Sequence, residues 1–289
     1  MRGRLIMNGF VDTPKFNRLR EFIFGSATKY GIELEYFPTT ALAYALGDDF
    51  FANGDRPDFI LFWDKDVNLC SRLESTGVPV FNSAGAILSC DSKNLTAIAL
   101  DGVVPTPKTI LVPKTFDGVG YTDFSFLDKA IEILGLPLVV KGAYGSFGYN
   151  VYLAQTREQA VRILENLGSR DCLLQQFISE SFGRDVRINI VGGREVSSML
   201  RHNESDFRSN ITNGGKSSPY SPSPEQIDVA VRACEKLGLH FAGVDVLFGK
   251  DGPIVCEVNS NPHYVSTYEC TGVNVGDFIF EHIVNTVSK

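Results

Sequence analysis

Phe241 to Pro262 read FAGVDVLFGKDGPIVCEVNSNP. The run has the pattern of two strands joined by a tight turn. Asp245 interrupts the apolar first strand, and Glu257 and Asn259 end the second. Side chains two apart on a strand share a face, so Glu257 and Asn259 point the same way. The turn is expected at Lys250-Asp251-Gly252, a three-residue loop in which glycine takes the left-handed position. That register sets Asp245 opposite Glu257, and three oxygen-bearing side chains converge. Hard cations such as Mg²⁺ take such ligands, with phosphate completing the shell. A hairpin whose polar residues face water explains the same stretch equally well. Choosing between them requires a nucleotide site elsewhere in the chain.

Leu136 to Ala154, LPLVVKGAYGSFGYNVYLA, is the second informative stretch. A strand ends at Lys141, a loop carries Gly142, Gly145, Ser146 and Gly148, and a second strand starts at Asn150. Glycines let backbone N–H groups approach an anion closely. It is not a P-loop, because no G-K-[ST] is present and a strand rather than a helix follows. The coincidence of glycines, serine and a flanking lysine favours phosphate binding over a merely flexible hairpin loop.

Upstream, residues 4 to 82 alternate strand and helix patterns, which suggests a parallel sheet with helices on it. No G-x-G-x-x-G marks a dinucleotide domain. A helix is expected from Asp91 to Leu100, with Lys93 near its start; a lysine there is ordinarily just solvated. Downstream, Thr156 caps an amphipathic helix to Leu167, and Cys172 to Ile178 is a buried strand. In Gly183 to Val191, Asp185, Arg187 and Asn189 face one way and Val186, Ile188 and Ile190 the other. A three-residue turn at Gly192-Gly193-Arg194 sets Arg201 opposite Asp185, as an exposed ion pair of little value or a pair lining a cleft. His202 to Ser223 has no periodicity and reads as a long loop containing DFRSN and NGG. Helices are expected at Pro224 to Leu237 and at Val275 to Val287.

The chain has 289 residues, enough for two or three compact units. Its net charge of −7, without any Lys/Arg block, argues against nucleic acid or an anionic membrane as partner. The six cysteines form no C-x-x-C pair, which argues against a disulfide framework or a zinc site. No signal peptide or membrane span is evident, so the cytoplasm is the expected compartment.

Together these segments resemble the ATP-grasp superfamily, in particular its RimK-type branch of α-L-glutamate ligases. The resemblance covers about Lys93 to the C-terminus and rests on KGAYGSFG, QQFI followed by GRDVRINIVGG, DFRSN with NGG, AGVDVL, and EVNSNP. It implies an α/β and α+β architecture: an ATP-grasp fold behind an N-terminal parallel-sheet domain. The expected division is 1–92 for that pre-ATP-grasp domain, 93–177 for the central subdomain with the glycine loop, and 178–289 for the C-terminal subdomain with the metal ligands. The resemblance further implies that Lys93 and Lys141 contact nucleotide phosphates, with Gly145, Ser146 and Gly148 closing over them. Gln176 and Phe177 would hold the adenine, Asp185 the ribose, and Arg208, Ser209 and Asn210 a further part of the nucleotide. Asp245, Glu257 and Asn259 match the magnesium ligands, Mn²⁺ being an alternative ion. Arg201 matches an arginine beside the reacting carboxylate and the γ-phosphate.

The implied activity is ATP-dependent ligation of a carboxylate to an amine through an acyl phosphate, with an amino acid or peptide among the partners and homo-oligomerisation left open. The chain departs from the branch after the asparagine ligand, where Pro262-His263-Tyr264-Val265 replaces a small, glycine-containing turn; the identity of the substrate acid is thereby opened. The competing reading is a nucleotide-binding scaffold that keeps the fold without turnover.

Overall fold

The computed structural model describes every residue except 43, 44, 49, 52, 53, 147, 212, 213 and 289. Phe147 of the glycine loop and Asn213 of NGG therefore lie outside the described residues.

The first unit runs β1 (Arg2–Met7), α1 (Pro14–Lys29), β2 (Glu33–Pro38), β3 (Phe59–Trp63), α2 (Val67–Glu74) and β4 (Val80–Phe81). Its strands form a parallel sheet in the order β2-β1-β3-β4, as the alternating pattern predicts. Thr13 caps α1 and Pro14 opens it, where its missing N–H costs nothing. Leu19, Ile23 and Ala27, four residues apart, bury one stripe of α1 on Leu5 and Phe59. Each large side chain so buried contributes about 1.5–3 kcal/mol.

Two short helices follow, α3 (Ala84–Asp91) and α4 (Lys93–Leu100), where one helix from Asp91 was expected. Ser92 is extended and caps α4 through its hydroxyl, so the break makes Lys93 the first residue of a helix.

The middle unit comprises β5 (Thr109–Leu111), α5 (Ser125–Leu134), β6 (Leu138–Gly142), β7 (Val151–Ala154), α6 (Arg157–Leu167) and β8 (Cys172–Gln176). Its antiparallel sheet, ordered β5-β8-β6-β7, packs one face on α5 and α6.

The last unit holds β9 (Arg184–Val191), β10 (Arg194–His202), β11 (Lys216–Pro219), α7 (Pro224–Lys236), β12 (Phe241–Gly249), β13 (Gly252–Asn259), α8 (Val265–Thr271) and α9 (Val275–Val287). Its antiparallel sheet is ordered β11-β10-β9-β12-β13. Val186, Ile188 and Ile190 press against Ala230, Ala233 and Cys234 of α7. The opposite face carries the polar residues. The C-terminal α9 returns to pack on α1 and completes the core of the first sheet.

Both expected three-residue turns are two-residue turns. Val191 pairs with Arg194 across Gly192-Gly193, and Gly249 pairs with Gly252 across Lys250-Asp251. The predicted registers nevertheless hold, Arg201 opposite Asp185 and Asp245 opposite Glu257. The extra residue sits inside each hairpin as a β-bulge, Val196 between Glu195 and Ser197 in one and Cys256 opposite the Asp245/Val246 step in the other. A bulge turns all later side chains over, which puts the polar face of each hairpin on the same side.

The six cysteines are free. Among the described residues, no helix is long and apolar enough to cross a membrane.

Where α9 meets the end of β12's approach, His240 Nδ1 lies 2.9 Å from His282 Nε2. Burial, and then the neighbouring imidazole, lower the His240 pKa below its ordinary value of 6.5. Protonation therefore favours the unfolded chain. The contribution of His240 to stability is complete above pH 6.5 and is lost as pH falls through its lower folded pKa. The urea midpoint is expected to fall between pH 7.5 and 5.5, and less steeply for His240→Gln; equal slopes would contradict this.

Candidate active site

Register alone assembles the centre of the site. Arg201 on β10 faces Asp185 on β9, Arg187 on β9 faces Asp245 on β12, and Asp245 faces Glu257 on β13. Arg201 donates to Asp185 from Nε at 2.7 Å and from Nη2 at 2.6 Å. The same Nη2 lies 2.9 Å from Asp245 Oδ1. Arg187 closes the chain, donating from Nη2 to Asp245 Oδ2 at 2.9 Å and from Nε to Oδ1. Two guanidiniums and two carboxylates thus alternate across three strands. Asp185, Arg201 and Asp245 are only 7, 5 and 3 % exposed. Burial alone would raise the Asp245 carboxyl, but Arg187 and Arg201 outweigh it and hold the group below the ordinary carboxylate range. Burial would likewise lower Arg201, and the two aspartates raise it instead.

Arg187 was not singled out from sequence, although its alternation with Asp185 was the available signal. Gly243 makes room for it: a Cβ there would come within 2.9 Å of Arg187 Nη1 and of Pro262 Cβ.

Glu257 and Asn259 follow on β13. Lys93 Nζ stands 3.6 Å from Glu257 Oε1. Asn259 donates Nδ2 to Gly243 O at 3.3 Å, which leaves its amide oxygen for another partner. At the bulge, Cys256 Sγ lies 3.6 Å from Lys141 Nζ; burial raises this thiol and Lys141 opposes the shift.

Three cationic side chains from three parts of the chain hold the glycine loop down. Lys93 Nζ donates to Gly145 O at 2.8 Å, Arg208 Nη1 to Gly148 O at 3.1 Å, and Lys65 Nζ to Ser146 Oγ at 3.1 Å. Gly145 has φ +135°, a conformation that side chains disfavour.

Two cavities meet at this centre. The smaller, about 110 Å³, runs between Gln176 and Phe177 at the end of β8 and Lys93, Lys141, Gly148, Asp185 and Arg208 to Asn210. The larger, about 690 Å³, lies between the first unit and the last, and includes Gly145, Ser146 and Asn259 in its wall. Arg201, Asn210, Asp245 and Glu257 line both. Every residue proposed from sequence borders one cavity or the other. His263 also borders the larger one, with Nε2 3.1 Å from Lys15 O and its ring edge-on to Phe16. Tyr264 does not; it is fully buried against Trp63.

Among the described residues, no three His, Cys, Asp or Glu side chains converge as a closed metal site. The oxygen donors present suit an incompletely protein-bound hard cation instead. A carboxylate has about four lone-pair positions, and the arginines engage three of those on Asp245. One position on Oδ2 is left to join Glu257 and the Asn259 amide oxygen.

A family model described as the RimK-like ATP-grasp domain matches residues 98–283. A probable alpha-L-glutamate ligase of Maridesulfovibrio salexigens is 39% identical over 218 residues, covering 73% of this chain and 69% of that protein. The crystal structure of an ATP-grasp RimK domain protein from Sphaerobacter thermophilus superposes with a TM-score of 0.74 at 22% identity, over 98% of this chain and 99% of that one. The D-alanine–D-alanine ligase of Bacillus anthracis complexed with ATP gives the same TM-score at 20% identity, over 100% and 97%. This chain belongs to the RimK-like ATP-grasp family.

Proposed function

We propose that the protein joins a carboxylate to an amine at the expense of ATP, through an acyl phosphate. The observation that supports this most directly is the shared wall: Arg201, Asn210, Asp245 and Glu257 border both a narrow cleft and a cavity large enough for a small acid. In this reading ATP lies in the cleft, its adenine at Gln176 and Phe177, its ribose at Asp185, its outer segment along Arg208, Ser209 and Asn210. Lys93 and Lys141 meet the phosphates from opposite sides, under Gly145, Ser146 and Gly148. Residues 1–92, 93–177 and 178–289 would then be the substrate-side, loop-bearing and metal-bearing parts of one machine.

The substrate carboxylate attacks the γ-phosphorus, the bond to the bridging oxygen breaks, and ADP leaves. The amine then attacks the acyl carbon and loses a proton, and phosphate departs as the amide forms. Arg201, anchored by Asp185, has its position set before the reaction and can neutralise charge on the transferred group. Asp245, Glu257 and Asn259 would hold Mg²⁺ or Mn²⁺, which when bound neutralises phosphate charge. No protein nucleophile is required, and six free cysteines, four of them buried, suit a reducing cytoplasm.

The test is incubation with ATP, Mg²⁺ and paired acids and amines, beginning with L-glutamate because of the name carried by the M. salexigens relative. Sustained release of ADP and phosphate is expected only when acid and amine are both present, with a matching amide by mass spectrometry. ADP release independent of both would overturn the ligase reading.

A further inference from the structure

The two limbs of the glycine loop border different cavities. Gly145 and Ser146 line the larger one, between the first unit and the last, and Gly148 lines the cleft. Arg208 holds the cleft limb by the Gly148 carbonyl, and Lys93 holds the cavity limb by the Gly145 carbonyl. Lys65 differs from both in what it grips and where it comes from. It donates to a side chain, the Ser146 hydroxyl, at 3.1 Å. It also belongs to the first unit, two residues past the end of β3. Its backbone is fixed, because its N–H donates to Asp64 Oδ1 at 2.6 Å in the turn that Asp66 continues by capping α2. Its ammonium pairs with Asp91, the last residue of α3. The next residue, Ser92, caps α4 and so places Lys93. Asp91 therefore ties Lys65 to the same short stretch that sets Lys93. An ion pair this exposed adds little to the stability of the fold, so stability does not account for the reach of Lys65 from one unit to another.

We infer that Lys65 is a positioning residue for the ligation: through Ser146 it latches the cavity limb of the loop and so keeps water from the acyl phosphate. The inference rests on the ligase reading and assigns to the first unit a part in the chemistry. Water that reached the acyl phosphate would add to the acyl carbon. The bond from that carbon to the phosphate oxygen would break, releasing phosphate, the free acid and a proton. ATP would be consumed and no amide formed. Holding a loop closed is how such a side reaction is suppressed. A single hydrogen bond from a half-exposed lysine is strong enough to bias the loop and weak enough to let it open for nucleotide exchange.

The test measures the latch separately from turnover. Amide hydrogen exchange is followed in peptides that cover Gly142 to Ser146, in wild-type protein, Lys65→Met, Ser146→Ala and the double variant, all without ligand. Each single variant should exchange roughly three- to ten-fold faster than wild type. The double variant should exchange no faster than the quicker single, because both changes remove one contact. Lys65→Arg, which keeps a cationic donor, should stay near wild type. ADP and amide are then measured together on the acid and amine that the wild type joins. Wild type should form them in equal amounts, and Lys65→Met should release ADP in excess of amide and with the acid alone. A purely structural lysine would lower both products in proportion. The inference is overturned if exchange in either single variant matches wild type, if the two effects multiply in the double variant, or if Lys65→Met keeps amide equal to ADP. Faster exchange in the variants of a protein whose wild type forms no amide would instead count against the ligase reading and leave the latch standing.

Discussion

Arg201→Ala is expected to lower stability by about 3–5 kcal/mol, the usual consequence of removing one member of a buried ion pair, and to abolish ligation. The guanidinium spans two carboxylates, and its loss leaves Asp185 buried without a cation while Asp245 keeps Arg187. The damage is therefore larger than the value of any single hydrogen bond in the chain. Two companion variants separate folding from chemistry. Arg201→Lys keeps the charge but lacks the fork that reaches Asp185 through Nε and Nη2 together, so it should recover only part of the stability. Adding Asp185→Asn to Arg201→Ala removes the orphaned charge and should restore stability without restoring activity. Urea midpoints and ADP release measured on all variants decide the matter. A wild-type midpoint for Arg201→Ala would mean that the four-residue chain contributes nothing to the fold.

The polar face of the last sheet was readable because strands have a strict period of two. Asp185, Arg187 and Asn189 announce it on β9, and Glu257 and Asn259 on β13. The registers were also readable, but for an incomplete reason. Counting residues requires one extra position in each hairpin, and counting cannot say whether it lies in the turn or in the strand. Gly192-Gly193 favours the primed two-residue turns, which pushed the extra residue inward to Val196. In the second hairpin it became Cys256, facing Lys141.

Other elements left no periodic trace. β11 is four exposed residues of Lys-Ser-Ser-Pro character on a sheet edge, recruited by hydrogen bonds to β10 rather than by burial. Ser92 splits α3 from α4 by capping the second helix, a choice that depends on where Lys93 and the Ala143 carbonyl meet. Asp64 and Asn261 lie 197 residues apart and become neighbours only when the first sheet docks on the last. No local pattern encodes such a pairing.

Glu257→Gln should show the opposite split, losing activity while keeping the fold. The side chain is 32% exposed and its ion pair is the loose one to Lys93 at 3.6 Å, so the uncharged isostere should change stability by no more than about 0.5 kcal/mol. Its carboxylate nonetheless faces both cavities at the point where ATP and acid would meet. If Glu257 acts on the transferred phosphate through a bound Mg²⁺, as proposed, its loss should cost roughly 10²–10³ in kcat. If Glu257 helps hold Mg²⁺, the variant should also need more of the ion for half-maximal rate, and ADP should bind in its absence as it does to the wild type. Arg201→Ala and Glu257→Gln then differ in kind: the first breaks a scaffold that orients charge, the second removes charge from an intact scaffold. A Glu257→Gln enzyme with wild-type kcat at every Mg²⁺ concentration would detach Glu257 from the chemistry. The metal would then have to be held by Asp245 and Asn259, although Asp245 already gives three of its lone pairs to arginines.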